Sequence, residues 1–290
     1  MKIHPLCRDC FRRQATSVAK LSEAEPHLEK ALELWTENLV HCLPDDVPPS
    51  FIGRMIQRRA EDLTGRTDPF LTVRKTTNSF ALELLNRFRD KLNDLDEPLI
   101  GALRLSAAGN IIDLGAKRNF TIEEAAEVVN EALSTPLIGA DEAQAVERIR
   151  KAEKVLLIAD NSGEIAFDRL LCEFIPSRPT VAVRQRPVLN DAVEDDARHV
   201  GMHEHADIIT TGSDMPGAWL AACSEKFHRA FEQADVILSK GQGNYEGLSD
   251  VRFSGYFILR VKCELISCNT GFPIGRNLLV DASTHKSVLD

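Results

Sequence analysis

Along the first half of the chain, apolar residues recur every three to four positions. Val18, Leu21, Leu28, Leu32, Trp35 and Leu39 do so across residues 11–40, the spacing that lays one apolar face along a helix. Pro44 to Pro49 interrupts the pattern, and a second helix is predicted near 50–64. Asp68-Pro69 opens a third, with the proline at a first-turn position, running through Phe80, Leu84 and Phe88. A fourth is expected from Leu95 to Ala108. Thr121-Ile122-Glu123-Glu124 has the form of a capping box ahead of another helix, its Glu at the third helical position. Pro136 then punctuates the chain, and a charged helix leads to Lys151. The second half changes period. Short apolar runs at 155–159, 180–184, 207–210, 235–239 and 277–281 have strand length, with helical or loop segments between them. That alternation predicts βαβ units and a mostly parallel, doubly wound sheet behind an all-helical N-terminal part.

The strand-like run Val155–Ala159 stops at Asp160-Asn161-Ser162-Gly163, and Ile165, Phe167, Leu170 and Leu171 follow at helical spacing. A carboxylate and a carboxamide thus stand where a buried strand gives way to a helix N-terminus, the crevice in which open α/β sheets bind ligands. Oxygen ligands for a hard cation beside N–H groups aimed at an anion suggest metal-assisted chemistry on a phosphate. Taken alone, Asp160 also reads as a simple helix cap. Two further polar clusters follow later strands. Arg184-Gln185-Arg186-Pro187-Val188-Leu189-Asn190-Asp191 precedes a helical segment, as Asp160-Asn161 does. If the two strands are neighbours, Asp160, Asn161 and Asp191 converge as a Mg²⁺- or Mn²⁺-type ligand set. Alone, Asn190-Asp191 is equally a turn or cap. The third cluster, Lys240-Gly241-Gln242-Gly243-Asn244-Tyr245-Glu246, has Glu where a dinucleotide fingerprint needs its third Gly. Gly241 and Gly243 still let backbone amides approach an anion, and Lys240 adds a point charge.

Composition narrows the partners. A formal charge of −9 over 290 residues lacks the basic footprint of nucleic-acid binding, while leaving room for one positive cleft that takes a small anion. No segment approaches the roughly 18–20 apolar residues of a membrane span, and the start lacks an apolar targeting stretch. A soluble, cytoplasmic protein is therefore expected. Seven cysteines, an odd number scattered along the chain, argue against a disulfide framework. Cys7-Arg8-Asp9-Cys10 supplies half of a tetrahedral zinc site and no second pair follows, so metal binding or redox chemistry by Cys7 and Cys10 stands beside two unpaired thiols.

Several pieces recur together in a known order: Cys7-x-x-Cys10 with Gln14, Asp68-Pro69-Phe70, Gly109-Asn110-Ile111-Ile112-Asp113, Asp160-Asn161-Ser162-Gly163-Glu164 with Phe167-Asp168, Asn190-Asp191-Ala192, Lys240 to Glu246, and Leu259 to Cys263. Across nearly its whole length the chain resembles the DUF89 family, the metal-dependent damage-control phosphatases, in its prokaryotic-type branch with an N-terminal cysteine pair. The resemblance implies a Rossmann-like three-layer α/β/α core over 135–290, carrying the metal and phosphate site, and a helical N-terminal domain over 1–134. It implies hydrolysis of phosphorylated metabolites, including sugar phosphates, with manganese, cobalt, nickel or magnesium. Asp160, Asn161 and Asp191 would be the metal ligands and Lys240 would hold the phosphate. Ser162 departs from the family's usual Ala or Val. Arg186 stands where other branches have Lys, which suits bidentate phosphate binding.

The expected mechanism is attack of a metal-activated water on a small phosphomonoester. Lys240, Gly241, Gly243 and Asn244 cradle the phosphate, with Arg186 and Asn190 beside it. Glu164 serves as general base or caps its helix. Asn110 and Asp113 form a substrate-facing wall, or else a loop turn and a cap. Asp160 as a phosphorylated nucleophile is the minority route. The rival from another class is a non-catalytic module that senses a phosphometabolite, with Cys7 and Cys10 as redox or metal switch. A methyltransferase is disfavoured, because no Gly-rich loop follows the first long strand.

Overall fold

The computed structural model describes residues 1–44, 46–109 and 121–285. Strands β2 (Val155–Ile158), β3 (Thr180–Val183), β4 (Asp207–Thr210), β5 (Val236–Lys240), β6 (Gly255–Arg260) and β7 (Asn277–Asp281) join the two-residue β1 (Ile138–Gly139) in one sheet. Their order is β1-β7-β6-β5-β2-β3-β4. All neighbours are parallel except β6 and β7. From β2 the chain steps one way to β3 and β4, then returns to the other side of β2 for β5 and β6. The switch point therefore lies between β2 and β5, and the crevice above their C-terminal ends is the place a ligand belongs.

Fourteen α-helices surround the sheet among the described residues. These are α1 (Arg8–Leu21), α2 (Pro26–His41), α3 (Pro49–Thr64), α4 (Leu71–Leu85), α5 (Arg89–Asn93), α6 (Pro98–Ala108), α7 (Ile122–Ser134) and α8 (Glu142–Lys151), followed by α9 (Glu164–Phe174), α10 (Glu194–His199), α11 (Met202–His205), α12 (Glu225–Gln233), α13 (Gly241–Leu248) and α14 (Glu264–Thr270). Strand residues alternate between two cores, as a sheet covered on both faces requires. Val155, Leu157, Leu238 and Ile258 face α4, α6, α8 and α9. Leu156, Ile158, Ile237 and Phe257 face α1, α2, α3, α12 and α13. The helical first half thus supplies a layer to each face and shares both cores with the sheet.

The expected α/β fold with a helical N-terminal region is what the chain forms. Differences are local. The apolar stripe over 11–40 is two helices, because Ser22 to Glu25 turns the chain, with Glu23 at φ 51° and Pro26 opening α2. The capping box at Thr121 forms as expected. Strand β6 was not among the expected strands. The third polar cluster is the start of α13, with β5 extending through Lys240.

Candidate active site

Two loops meet above β2 and β3, and their backbones are zipped together. The Ala192 amide donates to Asp160 O (2.9 Å), the Ser162 amide donates to Asn190 O (2.8 Å), and Asn161 and Asp191 form an antiparallel bridge. A second bridge, Arg184 with Val193, fixes the other side of the same loop. Asp160, Asn161 and Asp191 are thereby brought together, each buried. Gly241, at φ +77°, closes against them: a Cβ there would collide with the Asp160 carboxylate. Only glycine suits both that backbone angle and that approach.

Electrostatics separate the carboxylates. Burial pushes the Asp160 carboxyl well above its ordinary range, and the charges of Glu164 and Asp191 push it further; Lys262 and Arg184 act in the opposite sense. Among the described residues its side chain accepts from the Asn161 amide (3.0 Å), which leaves the Asn161 carbonyl oxygen for another partner. Asp191, by contrast, accepts from Arg184 Nε (2.7 Å) and the Gly217 amide (3.0 Å). Burial raises Glu164 to about 7, against the pull of Lys240 and with the charge of Asp168 adding to the rise. Glu164 Oε2, Asp168 Oδ2 and Arg184 Nη1 are buried without a hydrogen-bond partner among the described residues. Buried orphans of this kind mark a place for water, an ion or a ligand.

Lys240 departs from the expected phosphate-facing role. Its ammonium is fully buried and donates to Glu164 Oε1 (2.6 Å), Asp168 Oδ1 (2.6 Å) and Ser106 O (3.0 Å), which uses all its protons. Burial alone would lower its pKa; Asp168 and Glu164 outweigh that and hold it above the usual lysine range. Asn244 is likewise inward. Its amide nitrogen donates to Ile158 O, Ala159 O and Lys240 O, and its oxygen accepts from Arg184 Nη2 and the Ala218 amide. It staples β2, β5 and the 218 loop together rather than lining a cradle. Gly243 abuts Gly217, so that glycine serves backbone-to-backbone packing. The α9 N-terminus is also occupied from within, since the Ser162 amide reaches Asn190 O and the Gly163 amide reaches Asn78 Oδ1 (2.6 Å).

Arg186 does not join the cluster: it is exposed and lies 3.6 Å from Glu61 on α3. Its neighbour Arg184 is the buried arginine of the site. Both have the same strand parity, but β3 ends at Val183 and the bridge to Val193 keeps only Arg184 inside. Asn190 sits half-buried beside Ser162. It follows Leu189, which holds φ 48° and is gripped by Gln57 of α3 through its amide and through Pro187 O. Asn110 and Asp113 lie outside the described residues, although Gly109, just before them, packs on Glu164. Cys7 and Cys10 lie at the start of α1, within electrostatic reach of Cys263, and Cys7 is also within reach of Glu246. Burial pushes the Cys7 thiol up to about 11, so it is a poor thiolate at neutral pH. Among the described residues no group of three His, Cys, Asp or Glu side chains is arranged as a metal cage; the Asp160 set includes an amide oxygen. Sequence reasoning also passed over Lys262, exposed at the end of β6 and within electrostatic reach of both Asp160 and Glu164. Its position just past a strand's C-terminal end was the signal that could have found it.

A switch-point crevice with clustered buried carboxylates and neighbouring cations is the architecture of an α/β enzyme. The damage-control phosphatase ARMT1-like domain matches residues 3–278, and the chain belongs to that family. A damage-control phosphatase of Pyrococcus horikoshii is 30% identical over 95% of this chain and 96% of its own length. One from Archaeoglobus fulgidus is 30% identical over 95% and 97%, and an uncharacterized protein of Methanocaldococcus jannaschii is 32% identical over 97% and 95%. The crystal structure of a DUF89 family protein from Pyrococcus horikoshii superposes with a TM-score of 0.89 at 27% identity, covering 97% of this chain and 99% of that one. Among the described residues no helix is long and apolar enough to cross a membrane.

Proposed function

We propose that the protein is a metal-dependent phosphomonoester hydrolase acting in the cytoplasm on small phosphorylated metabolites, sugar phosphates or related damaged compounds. The observation that carries this reading is Asp160, a buried carboxylate that faces Glu164 and Asp191 and to which, among the described residues, no cationic side chain is bonded. Such a charge is costly in a protein interior unless something neutralises it. The donor set fits a hard dication. Asp160, the Asn161 carbonyl oxygen and Asp191 would hold manganese, cobalt, nickel or magnesium, and water would complete the shell. Bound there, the ion would supply polarisation of a phosphoryl oxygen and would acidify a water. The relatives named damage-control phosphatases support phosphoester hydrolysis as the reaction.

The chain's own residues do the rest. Lys262, exposed beside the cluster, is the cation that meets the substrate phosphate, in place of Lys240. Glu164, at about 7, is matched to proton transfer near neutrality. It takes the proton of the attacking water, and Lys240 fixes its carboxylate through Oε1. Arg184 orients Asp191 and ties it to Asn244. In the test, dialysed protein is assayed on p-nitrophenyl phosphate with and without Mn²⁺ or Co²⁺. Turnover should appear only with the ion, and Asp160→Ala and Asp191→Ala should each reduce it by about 10²–10³-fold or more. Ion-dependent turnover that survives both substitutions rejects the ligand set.

A further inference from the structure

Three consecutive face positions on α4, Arg74, Thr77 and Asn78, are polar yet buried to 2%, 2% and 1% exposure. A helix face turned inward is normally apolar, and here it meets the loops above β2 and β3. The Asn78 side-chain oxygen accepts from the Gly163 amide (2.6 Å), and its nitrogen donates to Asp196 Oδ1 (2.9 Å). The other Asp196 oxygen accepts from the Val193 amide (3.1 Å) and from Arg74 Nε (2.9 Å). Arg74 is held in turn by a bidentate pair to Asp68 (2.7 and 2.8 Å). Thr77 and Ser162 share a hydroxyl contact (3.2 Å). Gly163 lies two residues after Asn161, and Val193 two residues after Asp191. One amide–carboxylate pair thus grips both ligand loops at matching offsets, and Gly163 is gripped at φ +78°, where the loop has no local preference to hold it.

We infer that Asn78 and Asp196 are a positioning pair that sets the separation of the Asn161 and Asp191 loops and so the ion affinity of the site. The inference rests on the proposed metal reading. It has a polarity that can be reversed. Asn78→Asp sets two carboxylates face to face. Asp196→Asn sets two amides against each other and cannot be relieved by flipping Asn78, whose oxygen is needed by Gly163. In the double variant each bond regains a donor and an acceptor. An aspartate at 78 accepts from Gly163 and from the new amide at 196, whose oxygen still serves Val193 and Arg74.

The test is calorimetric titration of Mn²⁺ into dialysed full-length wild type, N78D, D196N and N78D/D196N, with melting temperatures recorded alongside. Each single variant should bind Mn²⁺ about 10–100-fold more weakly, the range for outer partners of metal ligands. The double variant should return to within about threefold of wild type on the same reasoning. A pair that is only structural glue would shift melting temperatures and leave Mn²⁺ affinity unchanged, which overturns the inference. So does a double variant as weak as the worse single. Should the singles fail to fold, the double variant decides by itself: folded with near-wild-type affinity supports the pair, and anything else rejects it. A wild type that binds no Mn²⁺ rejects the metal reading and the pair with it, whereas binding that ignores both singles rejects the pair alone.

Discussion

Lys240 and Asp160 stand at the C-terminal ends of neighbouring strands, β5 and β2, both removed from solvent. Around Lys240 the protein has closed its own circuit, with two carboxylates and a carbonyl on one ammonium. Around Asp160 it has not: three carboxylates lie near one another, Arg184 answers Asp191, and among the described residues Asp160 has only an amide. A buried charge whose partner is built in contributes to holding the fold, and one without a partner is tolerated where a ligand supplies it. On the proposed reading, Lys240 belongs to the scaffold and Asp160 to the site.

Substitutions should separate the two with opposite signs. Lys240→Met strands Glu164 and Asp168 in the interior and should cost about 3–5 kcal/mol, the penalty for breaking a buried pair from one side, measured by urea unfolding. Asp160→Asn removes a carboxyl whose ionisation the fold disfavours, so metal-free protein at pH 8 should be stabilised, on the order of 1 kcal/mol, while the Mn²⁺-induced rise in melting temperature disappears. A loss of stability in both variants would erase the distinction.

The pH dependence sharpens the same contrast. Glu164 titrates near 7 in the native state, above its ordinary value, so between those values the native state binds more protons than the unfolded one. Stability of the metal-free protein should therefore fall as pH rises from about 5 through 7. The melting temperature should drop by about 2–4 °C, and saturating Mn²⁺ should reverse the drop at pH 8. Arg186→Ala should have the smallest effect, with turnover changed less than about twofold, since an exposed ion pair of this kind contributes little.

Much of this architecture is legible in the chain. Strand-length apolar runs separated by helical stretches give the parallel sheet, and a polar cluster after each of three strands gives the rim where Asp160, Asn161 and Asp191 meet. Side-chain direction is not legible at the same level. Arg184 and Arg186 share a parity, and only the end of β3 and the bridge at Val193 decide which one turns inward. Lys240 beside two glycines suggests an anion cradle, but that depends on Asp168 and Ser106, distant in sequence, which claim its protons. Gly241 is explained by a carboxylate 81 positions earlier, a contact no local pattern encodes. Strand β6 was legible and was passed over: Tyr256-Phe257-Ile258-Leu259 is a strand-length apolar run opened by the turn residues Ser254-Gly255.

The most direct test of the central claim is Mn²⁺ binding to dialysed wild type and Asp160→Asn, followed by calorimetry near pH 7 in two buffers of different ionisation heat. Because burial holds Glu164 at about 7 and keeps the neighbouring Asp160 carboxyl above its usual range, ion binding should drive off protons. One site with net proton release is expected for wild type, with both lost in the variant. Equal affinity in the two proteins, or binding without proton release, would contradict the account.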